Sequence, residues 1–113
     1  MKLVTKKIEK RLRQYPLYSQ EGKGKRALCL AKFFLCSGAW TWYILEADVD
    51  EGMAYGVIIN GNGEGEYGYI NLAELQDLST KMGLTVERDL YYKPQSIGQI
   101  DDYYLQSFLK KMY

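Results

Sequence analysis

Residues 32–46 read KFFLCSGAWTWYILE. In an extended chain, Trp40, Trp42 and Ile44 point to one side and Thr41, Tyr43 and Leu45 to the other, so 40–47 reads as a strand. The near-continuous apolar run RALCLAKFFL (26–35) reads as a central strand, and CSGA turns the chain between the two. Downstream, DVDEG (48–52) is a hairpin loop and MAYGVIIN (53–60) the returning strand. GNGEGE (61–66) reverses the chain again, YGYI (67–70) begins a fourth strand, and VERDLYY (86–92) supplies a fifth that ends at Pro94. The connections through 60–67 are too short for parallel crossovers, so the sheet is expected to be an antiparallel meander. On this reading Trp40 and Trp42 lie in the core and Tyr43 on the open face.

Three helices are expected around the sheet. Thr5 can cap a short basic helix with Ile8 and Leu12 one turn apart, Leu3 or Val4 as a staple, and Pro16 as its stop. Asn71 with Glu74 opens the helix LAELQDLSTKM, with Leu72, Leu75 and Leu78 as its buried stripe and Gly83 beyond its end. Ser96 with Gln99 opens the last, in which Ile100, Tyr104, Phe108 and Met112 recur every four residues. SQEGKGKR (19–26) is a polar loop and the most mobile candidate. The expected fold class is α+β: a curved antiparallel sheet of about five strands in one domain (1–113), its helices packed mostly on one face.

Charge is unevenly distributed. Residues 1–32 hold ten Lys/Arg against Glu9 and Glu21, a balance of +8, whereas 33–113 hold five basic and twelve acidic side chains, a balance of −7. Such a split marks either a basic face for nucleic acid or an acidic face for a basic partner, unless the two simply attract each other across the fold. Eleven tyrosines add rings with polar tips, a composition found in half-buried sheets and at binding surfaces. MKLVTKKIEKRLRQ lacks the apolar core of a signal peptide, and no stretch approaches ~18 apolar residues, so a cytoplasmic protein without a membrane span is expected.

Three stretches together resemble a family of small bacterial proteins catalogued as a domain of unknown function. They are KFF with TWYILE (32–34, 41–46), Gly56 with EYGYINLAEL (66–75), and GLTVERDLYYKP (83–94). The resemblance covers about residues 28–95 and leaves the last helix outside. Family members often have Asn-Pro where this chain has Cys36-Ser37, and His-Phe where it has Tyr91-Tyr92. The resemblance implies a setting on conjugative plasmids, integrative elements and phages.

The chain contains no histidine, which removes Ser–His and Cys–His schemes, and Cys29 and Cys36 fall too far apart along an extended segment for a disulfide. Without histidine or a CxxC pair no structural zinc site is expected, and DVDEG lacks the spacing of a calcium loop. GNGEGEYG resembles a phosphate loop only superficially, since no helix follows and its glutamates repel phosphate. No enzyme and no cofactor are therefore expected.

The leading expectation is a non-enzymatic binding protein of a mobile element or phage, of anti-restriction or anti-CRISPR type, that occludes a host nucleic-acid-processing protein. Its surface would comprise Tyr43, Glu46, Asp48, Asp50, Glu51, Glu64, Glu66, Tyr69, Glu87, Asp89 and Tyr91. The alternative is a nucleic-acid-binding accessory protein using Lys6, Lys7, Lys10, Arg11, Arg13, Lys23, Lys25 and Arg26. The third is a small nucleotide binder stacking its ligand near Tyr43, Tyr69 and Tyr91. The 48–52 hairpin and Asn71 are expected at the same end of the sheet.

Overall fold

The first helix forms where its cap and apolar pair require. The Thr5 hydroxyl accepts the Ile8 amide at 3.2 Å, α1 runs Lys6–Arg13, and Ile8 and Leu12 are buried beside Leu3. The computed structural model describes residues 1–78 and 82–113. Beyond α1 come β1 (Leu28–Cys29), β2 (Ala31–Leu35), β3 (Thr41–Asp48), β4 (Met53–Ile59) and β5 (Gly65–Asn71). They are followed by α2 (Leu72–Asp77), β6 (Val86–Arg88), β7 (Gln95–Ser96) and α3 (Tyr103–Met112).

The fold is α+β, with a five-stranded antiparallel sheet in the order β5-β4-β3-β2-β6. Strands β2 to β5 form the expected meander, and β6 pairs with the free edge of β2. The run 26–35 is not one strand. It breaks at Leu30, and β1 leaves the sheet to pair with β7. The break leaves no polar group unpaired: the Leu30 amide donates to the Ile44 carbonyl (2.7 Å) and its own carbonyl accepts from Arg11 Nη1 (2.7 Å). The fifth strand is shorter than expected, stopping at Arg88 rather than continuing to residue 92.

Helices cover both faces of the sheet, which corrects the expected one-sided packing. Leu3, Ile8 and Leu12 of the α1 region and Leu75 of α2 pack with Trp42, Ile44 and Ala47. Leu105 and Leu109 of α3 pack with Tyr43, Leu45 and Val57 on the other side, joined by Ile97 and Ile100. The cause lies in β3, which is apolar on both sides and buried continuously from Trp42 to Ala47. Two apolar faces require two covering layers.

Tyr43 is accordingly not an exposed residue: it is fully buried, and its hydroxyl donates to Asp102 Oδ2 at 2.5 Å. The other oxygen of Asp102 caps α3 by accepting the Tyr104 and Leu105 amides, so a single carboxylate joins helix and strand. Trp40 precedes the strand and is 38% exposed, stacked on Trp42 with ring centroids 6.0 Å apart. The last helix begins at Tyr103, not near Ser96, and its buried stripe is Leu105 and Leu109, with Tyr104 and Met112 exposed. The middle helix ends at Asp77 with Leu78 exposed, and the expected continuation over 79–81 lies outside the described residues.

Two buried acids link this packing to pH. Burial raises the Tyr43 phenol well above its ordinary 10.0, reinforced by its bond to Asp102, and burial pushes the Cys29 thiol from 9.0 up to about 12. Both stay protonated in the fold, while the unfolded chain releases their protons near the ordinary values. Their stabilisation is therefore complete below about pH 9 and is lost as pH rises toward the folded values. Stability should fall from about pH 9 for Cys29 and from about pH 10 for Tyr43, by up to ~1.4 kcal/mol per pH unit for each group. Urea midpoints measured between about pH 8 and pH 11 check this, and a flat profile contradicts it.

Candidate functional site: a tyrosine-lined cleft

The register of β4 and β5 sets Tyr55 opposite Tyr69 and Val57 opposite Tyr67, which places all three tyrosines on the α3 face of the sheet. Tyr55 and Tyr67 lie nearly parallel, 7° between planes and 6.0 Å between centroids, and Tyr69 meets Tyr55 edge-on at 5.1 Å. Phe108 of α3 covers Tyr67 (5.5 Å), while the Tyr55 and Tyr69 end of this face lines an open cleft. Its volume is about 300 Å³.

The opposite wall is the segment 18–24, and a bulge in β3 fixes it there. Ile44 pairs with Gly56 and Glu46 with Tyr55, so Leu45 is an extra residue and Leu45 and Glu46 both line the cleft. The buried Glu46 carboxylate accepts the Tyr18 amide on Oε1 (2.6 Å) and the Gln20 amide on Oε2 (2.9 Å). Gln20, also buried, donates from Nε2 to the carbonyls of Leu28 (2.7 Å) and Leu45 (2.6 Å) and accepts the Leu28 amide (2.7 Å). The segment expected to be most mobile is thus pinned by two buried side chains.

Tyr18 has φ +74°, a left-handed conformation that a bulky side chain rarely adopts. Its amide is held by Glu46 and its hydroxyl meets that of Tyr69 at 3.0 Å. At the far end of the cleft, the hydroxyls of Tyr67 and Tyr113 are 2.7 Å apart. Backbone strain of this kind, maintained by surrounding bonds, is characteristic of ligand clamps. Among the described residues, the lining contains the carboxylates of Glu21 and Glu46 and no Lys or Arg. The Tyr55 phenol is raised from 10.0, first by burial and then by the negative charge of Glu46, with Tyr113 and Glu21 adding to it.

Of the eleven acidic and tyrosine residues singled out in the sequence, the structure brings Glu46 and Tyr69 into this cleft. Tyr43 is in the core. Asp48 ends β3, and Asp50 and Glu51 occupy the hairpin after it, where Asp48 accepts the Glu51 amide (3.1 Å) and Asp50 pairs with Arg13 (3.1 Å). That hairpin does share an end with Asn71, since Met53 pairs with Asn71 and the Leu72 amide donates to the Gly52 carbonyl (2.9 Å). Glu64 sits in the opposite turn and Glu66 on β5, paired with Ile58. Glu87 and Asp89 are at the other edge of the sheet, Asp89 beside Lys32 (3.5 Å), and Tyr91 is 92% exposed beyond them. The single acidic surface expected from sequence is therefore divided among two turns and two sheet edges.

The basic residues are also dispersed. Arg11 is committed to Leu30, and Arg13 to Glu9 and Asp50, while Lys23 lies 6.0 Å over the Tyr15 ring. Lys6, Lys7, Lys10, Lys25 and Arg26 are exposed. A second, polar hollow of about 410 Å³ between the loops at Gly38 and Asn60–Gly63 includes Asp102, both of whose oxygens already hold the fold. Among the described residues, no three Cys, Asp or Glu gather to hold a metal ion, and no helix is long and apolar enough to cross a membrane.

The sequence pattern missed Tyr18, Gln20, Tyr55, Tyr67 and Tyr113. Tyr55 and Tyr67 carried a usable signal, because both alternate with apolar residues on neighbouring strands. Sheet, bulge and pinned segment together define an α+β protein with an aromatic, acidic cleft on one sheet face. The chain belongs to the family described as "Protein of unknown function (DUF2958)", matched over residues 3–104. The match extends past the 28–95 resemblance at both ends, taking in α1 and the start of α3. No curated protein and no solved structure matches the chain.

Proposed function

We propose that this is a non-enzymatic binding protein of a mobile element or phage, acting in the cytoplasm by seating part of a host protein in the tyrosine-lined cleft. The observation that carries the reading is the convergence of Tyr18, Tyr55, Tyr67, Tyr69 and Tyr113 from four separate parts of the chain on one cavity. Tyrosine anchors at interfaces because a large rigid ring buries area while its hydroxyl keeps a partner. The mobile-element setting rests on the resemblance of KFF…TWYILE, EYGYINLAEL and GLTVERDLYYKP to proteins carried on such elements. A counter-defence role of anti-restriction or anti-CRISPR type fits that setting. The cleft carboxylates complement the cationic lining of a nucleic-acid channel, so occupying it would exclude the nucleic acid.

The test compares three forms of the protein as bait in host lysate and as inhibitors of the nuclease so captured. Wild type and the hairpin variant Asp50→Lys/Glu51→Lys should retain the same host protein, and Tyr18→Asn/Tyr69→Ser should lose it. The hairpin variant should also keep its stability within ~1 kcal/mol, because the Asp50–Arg13 pair is exposed. Capture that is indifferent to the cleft variant rejects the reading. Loss with the hairpin variant alone transfers the site to the acidic turn.

The nucleic-acid alternative is supported by the exposed Lys6, Lys7 and Lys10 on α1, with Lys25 and Arg26. Electrophoretic shift absent even at ~50 mM salt would remove it. The nucleotide reading is disfavoured, because Glu21 and Glu46 oppose phosphate and the cleft includes neither Tyr43 nor Tyr91.

A further inference from the structure

We infer that the group seated in the cleft is an arginine side chain presented by the protein partner. This rests on the binding function proposed above and names the chemistry of its anchor. Three features of the cleft select a cation over other groups. Five tyrosines line it, with Tyr55 and Tyr67 nearly parallel and Tyr69 set edge-on to Tyr55. Aromatic faces carry negative quadrupole density and attract cations. Among the described residues, the charged side chains in the lining are Glu21 and Glu46, with no Lys or Arg beside them.

Glu46 is buried, and each of its oxygens accepts one backbone amide, which leaves lone-pair capacity on both. Its charge is held in a partly dry site, where water screens it poorly. Glu21 is exposed at the rim and can meet the cation directly.

Size and shape narrow the choice further. A volume of about 300 Å³ lies at the lower limit of small-ligand sites and is enough for one long side chain, while Glu21 and Glu46 oppose a phosphate. Guanidinium is planar, weakly hydrated and stacks on aromatic faces, whereas an ammonium is a compact and strongly hydrated point charge. The paired hydroxyls Tyr18–Tyr69 and Tyr67–Tyr113 offer further acceptors to a donor that brings five N–H groups. Tyr18, held at φ +74° by Glu46, sets one of these acceptors in advance of binding.

The experiment titrates full-length protein, labelled with carbon-13 in its tyrosine rings, with four probes. These are acetyl-Gly-Arg-Gly-amide, the corresponding lysine peptide, the neutral citrulline peptide, and AMP. The arginine peptide should shift the ring resonances of Tyr55, Tyr67 and Tyr69 saturably. The lysine peptide should bind more weakly, and citrulline about tenfold more weakly than arginine. Glu21→Gln, a change at an exposed position, should reduce arginine affinity several-fold. Tyr18→Asn should do the same, since Asn tolerates the left-handed backbone and the fold is retained. Citrulline binding as tightly as arginine overturns the inference, as does tighter binding of AMP. Absence of ring shifts with the arginine peptide also overturns it, yet leaves the cleft-dependent capture of a host protein to stand or fall separately.

Discussion

Gly56→Ala should destabilise the protein by about 3 kcal/mol and lower Tm by roughly 10–15 °C, the largest effect expected of any single methyl group added here. A Cβ built at Gly56 would lie 1.8 Å from the Tyr43 carbonyl oxygen and 3.2 Å from the Ile44 Cα. Both are backbone atoms of the central strand, immediately before the bulge at Leu45. No side-chain rotation can clear them. Accommodation requires β3 and β4 to separate where they are paired on both sides of the bulge, and Tyr43 is also fixed there by Asp102. Gly68→Ala supplies the control on the neighbouring strand. Its Cβ would approach the flexible Ile58 Cδ1 at 3.3 Å, so its cost should stay under ~1 kcal/mol. Thermal melts of both variants decide the matter. A Gly56→Ala protein melting within a few degrees of wild type would mean that the bulge relaxes freely.

The meander was legible in the sequence, and the burial of both faces of β3 was not. Alternation and short polar turns sufficed to order β2 through β5, because each turn allows only an antiparallel return. Tyr43 was expected on the open face because alternation sets it opposite Trp42, and the group that satisfies its buried hydroxyl, Asp102, lies 59 positions away. Period-four patterning in the last helix is satisfied by two frames, Ile100-Tyr104-Phe108-Met112 and Leu105-Leu109. The choice depends on where the helix is capped, and Asp102 begins it after Ile100 has already been buried at the end of the preceding turn.

For the cleft, Glu46 and Tyr69 were legible as residues but not as neighbours. Tyr55 was missed because the turn was expected at 61–66. The β4–β5 turn is centred near Asn62, through the Asn60 amide bond to the Glu64 carbonyl (2.8 Å), and this register brings Tyr55 opposite Tyr69. A register displaced by a few residues would put different side chains together. Tyr18 and Tyr113 arrive from a polar loop and from the chain terminus, where no periodicity operates. The loop 19–26 was expected to be mobile because its composition is polar. Its rigidity comes instead from Gln20 and Glu46, whose hydrogen bonds span more than twenty residues to β3.

Gln20→Leu tests whether that pinning is what makes the cleft. The change keeps side-chain volume nearly constant but removes three hydrogen bonds, leaving the Leu28 amide and the carbonyls of Leu28 and Leu45 without them. Each abandoned buried group costs about 1–3 kcal/mol, and water reaching the partly exposed Leu28 would offset some of this, so about 3 kcal/mol of stability should be lost. The bulge carbonyl of Leu45 is the group least able to recover, since it is enclosed with Gln20. Loss of global stability alone would leave ligand affinity unchanged in the fraction that remains folded. Affinity should nevertheless fall, because Tyr18 and Glu21 lie in the segment that Gln20 helps to pin. Hydrogen exchange separates the two effects. The Tyr18 and Gln20 amides, which donate to Glu46, should exchange faster than the amides of β3 and β4, showing that segment 18–24 opens locally while the sheet stays closed. If those amides remain as protected as the strands while Tm falls, Glu46 alone holds the wall, and the clamp reduces to one carboxylate at the bulge.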